Sequence, residues 1–194
     1  MIASPTVKIP TAMSVSFLQF QQLVKANPDL RLELTVEGKL IAMSPTGSEG
    51  GQRNAELTTD FVIWNRQTKL GIVFDSSTGF KLPNGAVRSP DVSWVQKSRW
   101  DALTPEQRKG FAPLCPDFVL ELASESDDID ELQLKMQEYI ANGSQLGWLI
   151  DPRTQQVDVY RPGKSVEILQ SPKILSGEDI LFGLLFNLDV IYPD

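Results

Sequence analysis

The strongest constraint on the fold is a strand, helix and strand pattern in the second half of the chain. Residues 117–122 and 146–150 are short apolar runs, and between them lies a helical pattern over 128–142 that ends at Gly143. A crossover helix joins parallel strands, whereas the short connections among the strands expected between residues 72 and 95 suit antiparallel pairs. The pattern therefore predicts an α/β (α+β) fold with a central mixed β-sheet flanked by helices.

Hydrophobic periodicity and turn residues predict the remaining elements. Helices are expected over 14–25 and 45–69, and a hairpin over 30–43. Further strands are expected over 72–74, 78–82, 89–95, 157–160 and 166–169, with an irregular helical insertion over 97–113. No repeat or low-complexity linker interrupts the pattern, so residues 1–194 are predicted to form one domain with a flexible N-terminal segment, 1–13.

Composition bears on where the protein works. Hydrophobic residues make up 41% of the 194 residues, yet no apolar stretch reaches the roughly 18 residues that a membrane span needs. The N-terminus lacks an apolar signal core, and the single Cys115 cannot form an intrachain disulfide. We therefore expect a cytoplasmic protein without membrane contact, in which Cys115 is a small packed residue.

Histidine is absent from the chain. This absence excludes Ser-His-Asp and Cys-His catalysis, zinc bound by histidine, and acid/base chemistry by imidazole. One cysteine is also too few for a thiolate metal site. Any metal ion must therefore be held mainly by oxygen atoms, which points to magnesium, manganese or calcium.

The net charge of −7 is unfavourable for a nucleic-acid partner, because affinity for a phosphate backbone comes largely from Lys and Arg. The charge is unevenly distributed. Residues 53–109 carry nine basic and six acidic groups, whereas residues 110–194 carry five and fifteen. This division is compatible with a basic face beside an acidic metal site, and equally with chance.

Two acids and one lysine are the candidates for chemistry. Asp91 follows Pro90 at the start of a predicted strand, and Glu121 lies inside the apolar run FVLEL, where an ionised carboxylate needs a partner. Lys135 lies on the predicted helix that follows. Taken alone, Asp91 is explained by a solvated strand start, and Lys135 by a surface ion pair with Glu131 one helical turn away.

A series of sequence motifs favours a functional role for these three residues. The segments GIVFDSSTGFKLPNG, RSPDVSWV, CPDFVLELASESD, LQLKMQEYIANG and LGWLIDP follow one another in this order. Together they closely resemble a bacterial family of proposed restriction endonucleases within the PD-(D/E)XK nuclease superfamily. The resemblance runs from about Glu33 to near the C-terminus, and it implies a restriction-endonuclease-like core.

The resemblance also implies roles for individual residues. The superfamily's name describes an Asp, then an acid, one further residue and a lysine; here the two acids are Asp91 and Glu121. Ala123 stands where the lysine would be, and the family's lysine maps instead onto Lys135 of the following helix. For an earlier acid of the family, Glu33 is the candidate and Glu56 the alternative.

The expected function follows from these assignments. Asp91 and Glu121, with the backbone carbonyl of Leu122, would hold Mg²⁺ or Mn²⁺, and Lys135 would orient water or stabilise the developing oxyanion. The expected reaction is hydrolysis of DNA phosphodiester bonds by a homodimer, since two symmetric sites cut both strands. A catalytically weak or inactive binding module, and a hydrolase of small phosphoesters, stay open as alternatives.

Overall fold

The computed structural model of the protein describes residues 14–43 and 45–192, so the predicted N-terminal segment 1–13 lies outside the described residues. Five helices are found there, α1 to α5 in chain order: Phe17–Ala26, Ser48–Thr68, Lys97–Asp101, Pro105–Lys109 and Ile129–Ala141. The strands β1 to β12 are Arg31–Leu34, Leu40–Met43, Gly71–Asp75, Phe80–Lys81, Val87–Arg88, Val92–Gln96, Phe118–Leu122, Leu146–Asp151, Gln156–Tyr160, Glu167–Gln170, Ile174–Ser176 and Leu185–Asn187. A 3-10 turn, Leu188–Val190, follows β12.

Six strands form the central sheet in the order β10-β9-β8-β7-β6-β3. β7 and β8 are parallel and are joined by α5, while the other neighbouring pairs are antiparallel. The predicted mixed sheet with a crossover helix is therefore confirmed. Its two central strands are almost wholly buried, because helices and loops cover both faces.

The first face of the sheet is covered by α2 and by the segment that ends in the 3-10 turn. The buried stripe of α2 is Leu57, Phe61 and Trp64, which recur at helical spacing. Phe61 stacks on Phe118 of β7 with ring centroids 5.1 Å apart, and it also packs against Phe186 of β12. This face holds the larger apolar core.

The second face is covered by α5, which packs closely against β8. A Cβ atom on Gly147 of β8 would lie 2.5 Å from Cε of Met136, so the glycine leaves room for the end of the Met136 side chain. Met136 and Tyr139 are the fully buried residues of α5. The helix begins after Asp128, whose side chain accepts a hydrogen bond from the amide of Asp130, with further acids in the first turn.

A smaller sheet, in the order β2-β1-β5-β4, stands beside the second face. α1 packs on one side of it and buries Phe20, Leu32 and Leu34; Ser16 and Gln19 form a capping box at the start of the helix. Because side chains alternate along a strand, Glu33 of β1 and Arg88 of β5 point away from this small core.

The structure corrects several predicted boundaries. The strand predicted over 89–95 begins only at Val92, as β6, and Asp91 lies in the break between β5 and β6 rather than at the start of a strand. Pro90 has no N–H to give to a ladder, which accounts for a break at this point. The helix predicted from residue 45 begins at Ser48, and the hairpin of β11 and β12 was not predicted.

One prediction on a single residue is confirmed. Cys115 is fully buried, and burial raises the pKa of its thiol to about 12, which suits a packed residue rather than a reactive one. In the described part of the chain, no helix combines the length and the apolar character that crossing a bilayer requires.

Candidate active site

Glu121 lies near the end of the central strand β7. Alternation along the strand directs Phe118 and Leu120 to the core under α2, and directs Val119 and Glu121 to the face under α5. The Glu121 residue is only 4% exposed. A carboxylate so deeply buried requires nearby donors, and α5 supplies two of them.

Lys135 projects from the middle of α5 between two carboxylates. Its Nζ atom lies 2.9 Å from Oε1 of Glu121 and 2.9 Å from Oε1 of Glu33, and its side chain is 13% exposed. The surface ion pair with Glu131, which the sequence allowed, is not the contact found. The ammonium group therefore reaches Glu121 from the helix, and the residue that follows β7, Ala123, is a buried alanine.

Asp91 stands immediately before β6, the neighbour of β7 on the side away from β8. In the antiparallel register Val92 lies opposite Leu120, so one further step places Asp91 beside Glu121. Oδ2 of Asp91 accepts a hydrogen bond of 2.8 Å from the amide of Leu122. Burial raises the pKa of Asp91, and the amide of Leu122 and the charge of Lys135 offset only part of that effect.

Glu33, on the smaller sheet, completes a cluster with Asp91, Glu121 and Lys135. Besides Lys135, its partners are the amide of Ser89, 2.8 Å from Oε1, and Nη1 of Arg88, 3.1 Å from Oε2. Burial alone would raise the pKa of Glu33, but the positive charges of Lys135 and Arg88 outweigh burial and lower it. Glu33 is therefore the carboxylate of the cluster that stays ionised most readily.

Arg88 and Glu138 were not predicted from the sequence. Nε of Arg88 lies 2.6 Å from Oε2 of Glu138, and the side-chain amide of Asn84 donates to the other oxygen of Glu138 at 2.9 Å. One guanidinium thus joins a carboxylate of β1 to a carboxylate of α5. Little in the sequence pointed to Arg88, because residue 88 lies outside the strands predicted over 78–82 and 89–95.

Tyr139 lies one turn after Lys135 on α5 and is fully buried. Its hydroxyl group donates a hydrogen bond of 3.0 Å to Oε1 of Glu121, the same oxygen that Lys135 contacts. Burial and the neighbouring carboxylates raise the pKa of Tyr139 well above its ordinary value, so the hydroxyl group keeps its proton. The residue is part of the core and also fixes the orientation of Glu121.

The cluster has more acids than bases at its centre. Burial, and the negative charges of Asp91 and Glu33, raise the pKa of Glu121 to about 8 although Lys135 opposes the change. For Lys135, burial would lower the pKa, but the attraction of Glu121 and Glu33 raises it above the ordinary value. A site in which buried carboxyl groups outnumber the cationic groups, and in which burial opposes the ionisation of Asp91 and Glu121, suits the entry of a cation.

The carboxylate oxygens of Asp91 and Glu121 suit a metal ion that needs few protein ligands. Among residues 14–43 and 45–192, the polar contacts of Glu121 end at Oε1 and that of Asp91 ends at Oδ2, so each carboxylate keeps a second oxygen. No group of three or more acids, histidines or cysteines in this part of the chain is arranged to hold a metal ion. Magnesium commonly uses one or two carboxylates and completes its shell with water and substrate oxygens.

The predicted site residues therefore differ in their placement. Glu33, Asp91, Glu121 and Lys135 come together, and the carbonyl of Leu122 belongs to the residue whose amide binds Asp91. Glu56, the alternative early acid, is exposed on α2, which covers the other face of the sheet. The geometry thus brings together the residues that the resemblance named, including Glu33 in preference to Glu56.

Comparisons with known proteins identify the family and a shared fold. The model of the Uma2 family, described as "Putative restriction endonuclease", matches residues 17–190. A crystal structure from Anabaena variabilis ATCC 29413, described as a "putative nuclease belonging to DUF820", superposes with a TM-score of 0.74 at 21% identity, covering 90% of this chain and 95% of that one. Comparison with curated proteins gives no match. The superposition shows a shared fold, and the family match over most of the chain shows that this protein belongs to the Uma2 family of restriction-endonuclease-like proteins.

Proposed function

We propose that the protein is a metal-dependent endonuclease that hydrolyses phosphodiester bonds in DNA. The observation that carries the proposal is the position of Lys135, whose ammonium group lies 2.9 Å from both Glu33 and Glu121 while Asp91 stands beside Glu121 in the sheet register. A lysine between buried acids, at the ends of two central strands, has the chemistry that phosphodiester hydrolysis requires.

Each residue has a separate task in this proposal. Asp91 and Glu121 present their second carboxylate oxygens, and with the carbonyl of Leu122 they would hold Mg²⁺ or Mn²⁺. Lys135 orients the attacking water and offsets the negative charge that develops on the phosphate oxygens. Glu33 and Tyr139 restrict the side chains of Lys135 and Glu121 to this arrangement, because each makes a direct contact with one of them.

The bound metal ion would lower the pKa of a coordinated water and offset charge on the scissile phosphate. The residues of this chain prepare the site for that charge. Burial keeps the acids from being solvated by bulk water, and their mutual repulsion is relieved when a divalent cation enters. The family description and the description of the structural neighbour both support a nuclease.

Plasmid cleavage tests the proposal directly. Purified protein is incubated with supercoiled plasmid in Mg²⁺ or Mn²⁺, beside Asp91→Ala, Glu121→Ala and Lys135→Ala variants and a Glu56→Ala control. We expect cleavage that requires the metal, is lost in both acid variants, and falls by about 10²- to 10³-fold in Lys135→Ala, the cost of losing one oriented donor. Glu56 is an exposed acid outside the cluster, so its variant should cut normally.

The products and the variants separate the remaining possibilities. Linear plasmid that forms without an accumulation of nicked circles would support the proposed homodimer, because two symmetric sites cut both strands together. Full activity in Glu121→Ala would contradict the site assignment. A folded wild-type protein that cuts under none of these conditions would favour the alternative of an inactive binding module.

A further inference from the structure

We propose that a pocket at the start of β1, joined to Glu33 through Ser89, binds a nucleotide of the DNA strand next to the cleaved bond, an inference that rests on the proposed function. The pocket has a volume of about 300 Å³, and its walls include Leu30 and Arg31 from the start of β1, Ser76 from the β3–β4 turn, Ser89 and Phe111. Ligand pockets range from roughly 300 to 1,000 Å³, so the size is adequate for a small ligand.

The walls combine the two chemistries that a nucleotide presents. Leu30 is 46% exposed, so it offers an apolar surface that no core residue covers, and Phe111 adds an aromatic ring held in place by Phe20, with ring centroids 5.4 Å apart. Arg31 supplies a positive charge, and its Nη1 donates a hydrogen bond of 3.0 Å to Oγ of Ser76. A base stacks on apolar and aromatic surfaces, and its phosphate binds a guanidinium group.

Polar groups on the walls distinguish a nucleotide from a free phosphate. Ser89 adds a hydroxyl group, and Asp29 also lines the pocket. A carboxylate repels phosphate but accepts hydrogen bonds from the amino groups of bases. The combination of Arg31, Asp29 and the apolar wall therefore matches a ligand with an anionic end and a planar end that donates hydrogen bonds.

The pocket is connected to the candidate active site by backbone. Ser89 lines the pocket, and its amide donates the hydrogen bond of 2.8 Å to Glu33. Arg31 and Glu33 are two residues apart on the same side of β1, which is about 6.6 to 6.8 Å along a strand. Each DNA strand carries one phosphate per about 3.4 Å of duplex axis, so a strand cleaved at the cluster would pass its neighbouring nucleotides along Arg31.

Gly79 keeps one end of the pocket open. A Cβ atom at this position would lie 2.7 Å from the ring of Phe111 and 3.3 Å from Oγ of Ser89. Any side chain would therefore displace the aromatic wall or fill the space beside Ser89. The absence of a side chain at residue 79 is what allows the aromatic ring and the serine to approach the same space.

Binding without cleavage tests the inference. The affinity of the full-length protein for a fluorescently labelled single-stranded DNA of about 16 nucleotides is measured in EDTA over a range of salt concentrations. Arg31→Ala should weaken binding and reduce the slope of log affinity against log salt by about 0.7, the value for one phosphate contact on a single strand. Lys39→Ala, which removes an exposed positive charge from the other end of the same hairpin, should leave the slope unchanged.

The apolar wall has its own variant and control. Leu30→Ser should weaken binding by about five-fold or more without changing the salt slope, since a lost stacking surface costs about 1 kcal/mol or more. Leu185→Ser, which removes a leucine that is 70% exposed on β12, should bind as the wild type does. An abasic residue at one position of the DNA should remove the difference between Leu30→Ser and wild type.

The possible negative results distinguish a wrong pocket assignment from a wrong proposed function. Equal salt slopes for Arg31→Ala and Lys39→Ala, or wild-type affinity in Leu30→Ser, would overturn the pocket assignment, and plasmid cleavage would still support the proposed function. Displacement of the DNA by free deoxyadenosine monophosphate at micromolar concentration would reassign the pocket to free nucleotides. A wild-type protein that neither binds nor cuts DNA would overturn both proposals.

Discussion

The two helices that cover the central sheet meet the same strands with different chemistry. α2 presents Leu57, Phe61 and Trp64 to its face, and these side chains join the larger apolar core. α5 presents Met136 and Tyr139 together with Lys135, and it meets the buried carboxylate Glu121. The face under α2 is thus held by apolar packing, whereas the face under α5 combines an apolar core with charges that hydrophobic packing alone would exclude.

The apolar face should show the larger effect on stability. Phe61→Ala removes a fully buried ring that contacts Phe118, Trp148 and Phe186, and it should reduce the free energy of unfolding by about 3 to 5 kcal/mol. Urea unfolding followed by tryptophan fluorescence measures the change. Phe182→Ala, at a residue that is 71% exposed, is the matched control, and a similar loss there would contradict the comparison.

Removing Arg88 from the charged face should lower the free energy of unfolding by less than the loss of Phe61 does. Arg88→Met leaves Glu33 and Glu138 without their shared partner, and it should lower the free energy of unfolding by about 3 kcal/mol. The double variant with Glu138→Gln should recover part of the loss, because Glu138 then carries no charge that has lost its cationic partner. Arg88→Lys should recover little, since one ammonium group cannot reproduce a guanidinium that bridges two carboxylates. Unchanged stability in Arg88→Met would show that the bridge is unimportant.

The smallest expected effect on the free energy of unfolding is a gain in stability, from a change at Glu121. The pKa of Glu121 is about 8 in the folded protein and 4.5 ordinarily, so the folded state binds more protons between these pH values and stability falls as pH rises through them. Glu121→Gln removes this dependence, and at pH 9 it should be more stable than wild type by on the order of 1 to 3 kcal/mol. Unfolding free energies at pH 5 and 9 measure the difference. A difference that is the same at both pH values, or that also appears in the exposed-acid control Glu131→Gln, would contradict the assignment.

The fold was largely predictable because periodicity reports which residues are buried. The crossover over 117–150 required a parallel pair, and β7, α5 and β8 provide it. The strand expected over 89–95 was right from Val92 onward, but its first three residues lie in a break that depends on β5 joining one sheet while β6 joins another. Pairing partners of this kind are decided by tertiary contacts, which local pattern does not contain.

The residues of the site differ in how well the sequence alone identifies them. Glu121 could be recognised from its apolar neighbours, since a buried carboxylate needs a partner. Lys135 was identified only through the resemblance, because its spacing from Glu131 suggested an ordinary surface pair. Arg88 was missed, since its role depends on Glu33 and Glu138, which lie 55 and 50 residues away along the chain. Residues that act by joining distant segments leave little signal in local sequence.

The delivery of Lys135 by α5 has a consequence for how the site is maintained. In the superfamily pattern, the lysine follows the second acid after a single residue, so their spacing is set by covalent geometry. Here the distance between Lys135 and Glu121 depends on how α5 sits against β8, where Met136 rests on Gly147. The site is thus assembled across a packing interface, and a small tilt of one helix would take it apart while every strand of the sheet stays paired.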